Sequence, residues 1–350
     1  MNMAMKIPVV VLSGFLGSGK TTLLIKLLEE AAARGLKPGV LMNELGKRDI
    51  DGELISRSTS TRFPLEKMLD GCICCTKKDE IQAALTGLLQ QDPDLLLLEL
   101  TGVANPEEIV EQLAEPGLLS KLYLHRVITL VDAEHALEYN SLFASDKQLV
   151  RTLRSQLSAA DDLIINKTDL IPPVHSGKVT EMVRKYNAEG QVHYAVNANI
   201  PLASLFSTIR PVSRRLPQVT AAAGSSSRGS RSPFQIVQPH QHLPATPTSA
   251  SGGEAPTSYS RINTISLPIR EPLQIPVSKL ERFIKKWSPG LLRAKGYVRF
   301  SQPKKSAYLM QYSGKRFNWE AMDYDGPLYL VLIGYRLPEP LIAEEWAMLR

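Results

Sequence analysis

The chain has 350 residues, 43% of them hydrophobic, and a formal charge of +6. That is room for two domains at ~150 residues each and enough apolar content for ordinary buried cores, while no apolar run reaches the ~18 residues of a transmembrane helix. All three cysteines fall between Cys72 and Cys75, which argues against a disulfide framework and for a reducing cytoplasm, and Met1–Lys6 leads straight into an apolar strand rather than reading as a cleaved signal.

Ile7–Leu12 is a continuous apolar run, as expected of a strand buried on both faces. Thr21–Arg34 has helical spacing and stops at Gly35. Gly39–Asn43, Asp94–Leu100, Val127–Val131, Asp162–Ile165 and Val192–Val196 read as further strands, with helical stretches such as Asp79–Gln90 and Asp146–Ala160 between them. This alternation predicts an α/β domain over residues 1–210, with a mostly parallel sheet covered by helices on both faces. From Pro211 to about Ser258 the chain is rich in Ser, Ala, Pro, Thr and Gly, and residues 211–258 read as a flexible linker. His240-Gln-His242, inside it, reads as exposed and not metal-bound.

From Tyr259 the pattern changes again. Ile262–Ile269, Gly296–Ser301, Ala307–Tyr312 and Leu328–Ile333 alternate as strands, with Val277–Trp287 and Ala343–Leu349 as helices. Residues 259–350 thus predict a small α+β domain, one antiparallel sheet with helices on one face. No internal repeat is present. Lys285, Lys286, Arg293, Lys295, Arg299, Lys304 and Lys305 concentrate positive charge here. We read them as a solvated basic face, ahead of a surface for an acidic protein. No nucleic-acid motif accompanies them, so no nucleic-acid partner is expected.

Four motifs carry chemistry. Gly14-Phe-Leu-Gly-Ser-Gly-Lys-Thr21 follows an apolar strand and opens a helix, the context a phosphate-binding loop requires. Gly14, Gly17, Ser18 and Gly19 let backbone N–H groups converge on phosphate, and the helix N-terminus adds favourable partial charge. Lys20 is expected to reach the β- and γ-phosphates, and Thr21 to ligate Mg²⁺, with Thr22 beside it. Asn166-Lys-Thr-Asp169 stands at a strand end. Asp169 can accept from guanine N1 and N2, a donor pair adenine lacks, and the stem of Lys167 can pack on the base, so GTP is expected over ATP. Glu99-Leu-Thr-Gly102 closes a third strand. Glu99 is placed to hold Mg²⁺ or its water, and the Gly102 N–H to sense a γ-phosphate. Cys72-x-Cys74-Cys75 offers three soft thiolates suited to Zn²⁺ or another divalent transition metal, one ligand short of a closed tetrahedral site. Glu44, in a segment placed like a first GTPase switch, is a further candidate ligand. A redox thiol cluster and buried structural cysteines are the alternatives for the cysteines.

These motifs together make the chain similar to the CobW-like GTPases, relatives of the hydrogenase- and urease-maturation GTPases. The resemblance extends to Leu292-Arg-Ala-Lys-Gly-Tyr297, Trp319 and Leu332-Ile-Gly-Tyr-Arg-Leu337. It implies GTP hydrolysis with Mg²⁺, a transition metal (most often zinc) at the cysteine motif, and delivery to a client metalloprotein contacted partly through the C-terminal domain. A nucleotide- or metal-dependent homodimer is a further expected partner, and no membrane is. Two departures stand out. Lys47 replaces an acid common in the first switch, and His240-Gln-His242 is all that stands where many members carry a long His-rich tract. A regulatory GTPase that gates a client enzyme without delivering metal is the competing reading.

Overall fold

The computed structural model describes residues 6–44, 65–69, 78–141, 147–211, 258–301, 307–313 and 315–349. Its first sheet contains β1 (Ile7–Gly14), β2 (Pro38–Glu44), β3 (Leu65–Leu69), β4 (Leu95–Glu99), β5 (Leu122–Asp132), β6 (Asp162–Asn166) and β7 (Gln191–Ala195). Their order is β3-β2-β4-β1-β5-β6-β7, and every pairing is parallel. Strands that are buried on both faces need apolar residues at every position. β4, Leu-Leu-Leu-Leu-Glu, is the extreme case, buried throughout.

Successive residues of β1 feed two cores. Val10 and Leu12 pack with Leu23, Leu24, Leu27 and Leu28 of α1 (Lys20–Ala33) on one face. Val9 and Val11 pack with Ile81, Leu85 and Leu88 of α2 (Lys78–Leu89) and with Ile109 and Val110 of α3 (Pro106–Leu113) on the other. The short helices α4 (Pro116–Leu119) and α5 (Ala136–Tyr139) follow, then α6 (Lys147–Ala159) and α7 (Pro173–Tyr186). All the strand C-termini therefore open on one edge, where ligands of open α/β sheets sit.

The second sheet is antiparallel, in the order β11-β10-β9-β12-β8: β8 (Ile262–Ile269), β9 (Leu291–Arg299), β10 (Ala307–Ser313), β11 (Arg316–Met322) and β12 (Leu328–Tyr335). Alternation assigns its faces. Leu330 and Leu332 of β12 pack under α8 (Val277–Lys286) and α9 (Glu339–Leu349), whereas Tyr329, Val331 and Ile333 join Leu113, Leu118 and Leu122 of the first domain in one core.

The α/β and α+β expectations hold, with the C-terminal helices on one face. The structure extends some elements. β9 starts at Leu291 rather than Gly296, and α9 starts at Glu339 rather than Ala343. The linker to residue 257, including His240 and His242, and Lys47, Lys304 and Lys305 lie outside the described residues.

One expectation is corrected. The basic cluster is not simply a solvated face. Arg293 Nη1 lies 2.6 Å from Glu111 Oε2 of α3, and Lys295 pairs with Glu115, so both cations meet acids of the first domain. Lys285 pairs with Glu281 and Lys286 with Glu345. The charge pattern in the sequence gave no hint of this, because the acids are about 180 positions away in the chain.

Candidate functional site

The phosphate loop joins β1 to α1, and its glycines are required by geometry. Gly17 and Gly19 have φ of +76° and +103°, in the left-handed region that L side chains rarely adopt. Gly14 has φ +130°, and a Cβ there would sit 2.2 Å from Leu130 O, because the loop begins hard against β5. Ser18 Oγ donates to Phe15 O at 2.8 Å, closing the loop on itself. Lys20 is buried, and its Nζ donates to the same carbonyl at 3.0 Å. The cation is thus held within the loop, at the helix N-terminus where phosphate oxygens are favoured.

Thr21 Oγ1 donates to Glu99 Oε1 at 3.0 Å, so the last residue of β4 and the first turn of α1 share a hydrogen bond across 78 positions of sequence. A hydroxyl and a largely buried carboxylate side by side are hard oxygen donors, and they fit Mg²⁺. Gly102, three residues on, lies tight against the phosphate loop, since a Cβ there would be 2.6 Å from Leu16 N.

Asn166 ties the phosphate side to the base side. Its Nδ2 donates to Ser18 O at 2.8 Å, and its Oδ1 accepts from Ala198 N at 2.8 Å. A Cβ on Gly19 would lie 2.5 Å from Asn166 Nδ2, so the third loop glycine is also needed for this approach. Lys167 adopts φ +64°, and its Nζ sits 2.7 Å from Asp132 Oδ2. Asp169 is exposed on the 3-10 turn Thr168–Leu170. Asn197 and Ala198 are both in the left-handed region, at φ +51° and +53°, a strained pair stabilised by the Asn166 contact.

The structure therefore brings together Gly14, Gly17, Ser18, Gly19, Lys20, Thr21, Glu99, Gly102, Asn166, Lys167 and Asp169 along the C-terminal edge of β1, β4 and β6, with Thr22 in the first turn of α1. The backbone of Glu44 ends β2 at the same edge, since Met42 is opposite Glu99 in the register. Its side chain, and Cys72, Cys74 and Cys75, lie outside the described residues. Among the described residues no group of three or more His, Cys, Asp or Glu could hold a metal.

Three contributors escaped the sequence reading. Asp132 ends β5 opposite Asn166, and an acid at a strand end, the rule that found Glu99, could have found it too. Ala198 and the buried Gln156 act through an N–H and an amide at long range, and no local pattern marks them.

At the opposite edge of the same sheet, where β6 begins, Asp162 is buried. Burial raises its pKa, but the His193 hydrogen bond and Arg126 outweigh this and hold the carboxyl below its usual range. The neighbouring Asp161 accepts from Val127 N and Arg261 N, yet burial pushes it up to about 6.

Comparison with known proteins agrees with this geometry. Residues 8–194 match the family described as CobW/HypB/UreG, nucleotide-binding domain, and residues 262–350 match the cobalamin synthesis protein cobW C-terminal domain. The chain is 35% identical over 210 residues to the zinc chaperone YjiA of Escherichia coli (strain K12), covering 58% of this chain and 61% of that protein. It is 31% identical over 232 residues to zinc-regulated GTPase metalloprotein activator 1 of Dictyostelium discoideum, covering 58% and 48%. The matches thus span less than two thirds of the length of these relatives. Among solved structures, Zn(II)-bound YjiA GTPase from E. coli aligns over 99% of this chain at 22% identity, with a TM-score of 0.45. With the first family match covering more than half of the chain, and the phosphate loop, Glu99 and Asn166 meeting at one sheet edge within it, the chain belongs to the CobW/HypB/UreG family of nucleotide-binding domains.

Proposed function

We propose that this protein is a GTP-hydrolysing metallochaperone that binds zinc at Cys72, Cys74 and Cys75 and hands it to a client metalloprotein. The observation that carries the reading is the Asn166 bridge. One side chain links the phosphate loop at Ser18 to the base-side loop at Ala198, which supports a single nucleotide lying between them. Asp169 on the following turn supplies the guanine preference. The names of the relatives, zinc chaperone and zinc-regulated GTPase metalloprotein activator, support zinc as cargo.

In this reading Lys20 leaves Phe15 O for the β- and γ-phosphates, and the loop N–H groups wrap the phosphate chain. Thr21 and Glu99 would hold Mg²⁺, which when bound neutralises charge on the β- and γ-oxygens. Gly102 reports the γ-phosphate through its N–H, and β2 and β3 end at the same edge as Glu99. Because the cysteine segment follows β3 in the chain, closure on GTP organises the thiolates and hydrolysis loosens them. Residues 1–210 form the GTPase unit, residues 211–258 a tether, and residues 259–350 a domain that contacts the client. Clustered free thiols require a reducing compartment.

The test is Zn²⁺ affinity by chelator competition, first with GTP-Mg²⁺ and then with GDP-Mg²⁺, on the wild type and on a variant with all three cysteines changed to serine. Tighter zinc with GTP by about tenfold, roughly 1.4 kcal/mol of coupling, is expected. The triple variant is expected to lose zinc affinity by orders of magnitude and keep GTP binding. Normal zinc binding by that variant refutes the cysteine site, and equal zinc affinities with the two nucleotides refute the coupling.

A further inference from the structure

Gln156 is fully buried on α6, and none of the phosphate or base contacts described above uses it. Its Nε2 donates to Gly102 O at 3.1 Å and to Ala104 O at 3.0 Å. Of the two ends of the amide, only the NH₂ can donate to the two carbonyl oxygens on either side of Val103, so chemistry fixes which end of Gln156 faces the loop. A carboxylate of the same shape would set oxygen against oxygen there. The turn of α6 that carries Gln156 is itself fastened to β5, where Thr129 Oγ1 donates to Gln156 O at 3.0 Å.

From the opposite side the same loop meets the phosphate loop, and Gly102 has no room for a Cβ beside Leu16 N. The turn after Glu99 is thus gripped between Leu16 and Gln156, while Val103 between the two gripped carbonyls is exposed. A loop whose N–H reports a γ-phosphate has to be pre-placed next to the phosphates. Otherwise GTP must spend part of its binding energy on ordering it.

We infer that Gln156 is a positioning residue that holds the Gly102–Ala104 turn against the phosphate loop and thereby sets the preference of the site for GTP over GDP. The inference rests on the reading of the site as a GTP site. GDP does not need the turn, so the two nucleotides feel the loss of Gln156 differently.

The experiment uses the full-length protein as wild type, Gln156→Met, Gln156→Glu and Thr129→Val. Dissociation constants for fluorescent GDP and a non-hydrolysable GTP analogue are measured, with kcat and KM for GTP. Both Gln156 variants are expected to bind GDP within about twofold of wild type, to bind the GTP analogue about tenfold more weakly, and to lose kcat by about tenfold or more, Gln156→Glu the most. Thr129→Val, which loosens the same helix turn without touching the loop, is expected to lower Tm and keep the wild-type GTP:GDP ratio. An unchanged ratio in Gln156→Met, or equal losses for GDP and GTP, overturns the inference while the GTP reading stands. A wild type that binds neither guanine nucleotide overturns the reading of the site and this inference with it. If both variants are insoluble, hydrogen exchange of wild-type residues 102–106 decides. Stronger protection with the GTP analogue than with GDP is expected, and equal protection refutes the inference.

Discussion

The Glu111–Arg293 ion pair ties the helix that follows the Gly102–Ala104 turn to the C-terminal sheet, and its strength can be worked from the structure. The charged atoms are 2.6 Å apart. The Glu111 side chain is 5% exposed and that of Arg293 30% exposed. At an effective dielectric of ~20 the Coulomb energy is roughly 6 kcal/mol, much of it offset by desolvating the carboxylate. Removing one partner of a buried pair typically costs about 3–5 kcal/mol. Water can reach Arg293, so the cost falls at or just below that range, and Arg293→Met is expected to cost about 2–3 kcal/mol by leaving a carboxylate in a largely dry site. Glu111→Gln is expected to cost about 1–2 kcal/mol, because a partly exposed guanidinium can be hydrated. The double variant is expected to cost less than the sum, with a coupling of about 1–2 kcal/mol.

The assay is urea denaturation at neutral pH followed by tryptophan fluorescence. All three tryptophans, Trp287, Trp319 and Trp346, lie in the C-terminal sheet and its helices, so the signal reports that unit. A coupling below about 0.5 kcal/mol would place the pair with ordinary surface ion pairs and refute the reasoning. It would also remove this pair as a strong tie between α3 and the second sheet.

Two further outcomes are expected. Gly14→Ala sets a Cβ 2.2 Å from Leu130 O at a φ of +130°, so the loop must shift. Stability is expected to fall by about 2–4 kcal/mol and nucleotide affinity by two orders of magnitude, and wild-type nucleotide titration by this variant would show the loop to be pliable. Asp161 gives a pH effect whose sign follows from its raised pKa. The folded carboxyl titrates at about 6 against 3.8 for the ordinary group, so the folded state holds the proton more tightly. Its contribution is therefore greatest at low pH and declines as pH rises from ~4 to ~6, by at most about 3 kcal/mol. The stability advantage of wild type over Asp161→Asn is expected to shrink across that window in chemical denaturation series. An advantage that grows with pH would mean that the Val127 and Arg261 N–H donors outweigh burial.

The sequence by itself determined the two sheets and most residues of the candidate nucleotide site. An apolar run such as Leu95-Leu-Leu-Leu98, between helical stretches, is what a strand buried on both faces of a parallel sheet under helices requires. Gly14 to Thr21 and Asn166 to Asp169 place their groups by local backbone geometry, so their spacing carries the chemistry. Two strands were not legible. β3, Leu-Glu-Lys-Met-Leu, and β11 are edge strands, and β11 alternates only partly buried residues such as Phe317 and Trp319 with exposed neighbours, too weak a pattern to read as a strand. Only the tertiary structure decided what joins distant segments: Asp132 to Lys167, Gln156 to Gly102 and Ala104, and Arg293 and Lys295 to Glu111 and Glu115. The reason is physical. A helix or strand repeats its environment every few residues and so writes a period into the chain. A hydrogen bond or ion pair between elements needs one residue at each end, and which two meet depends on how whole layers pack.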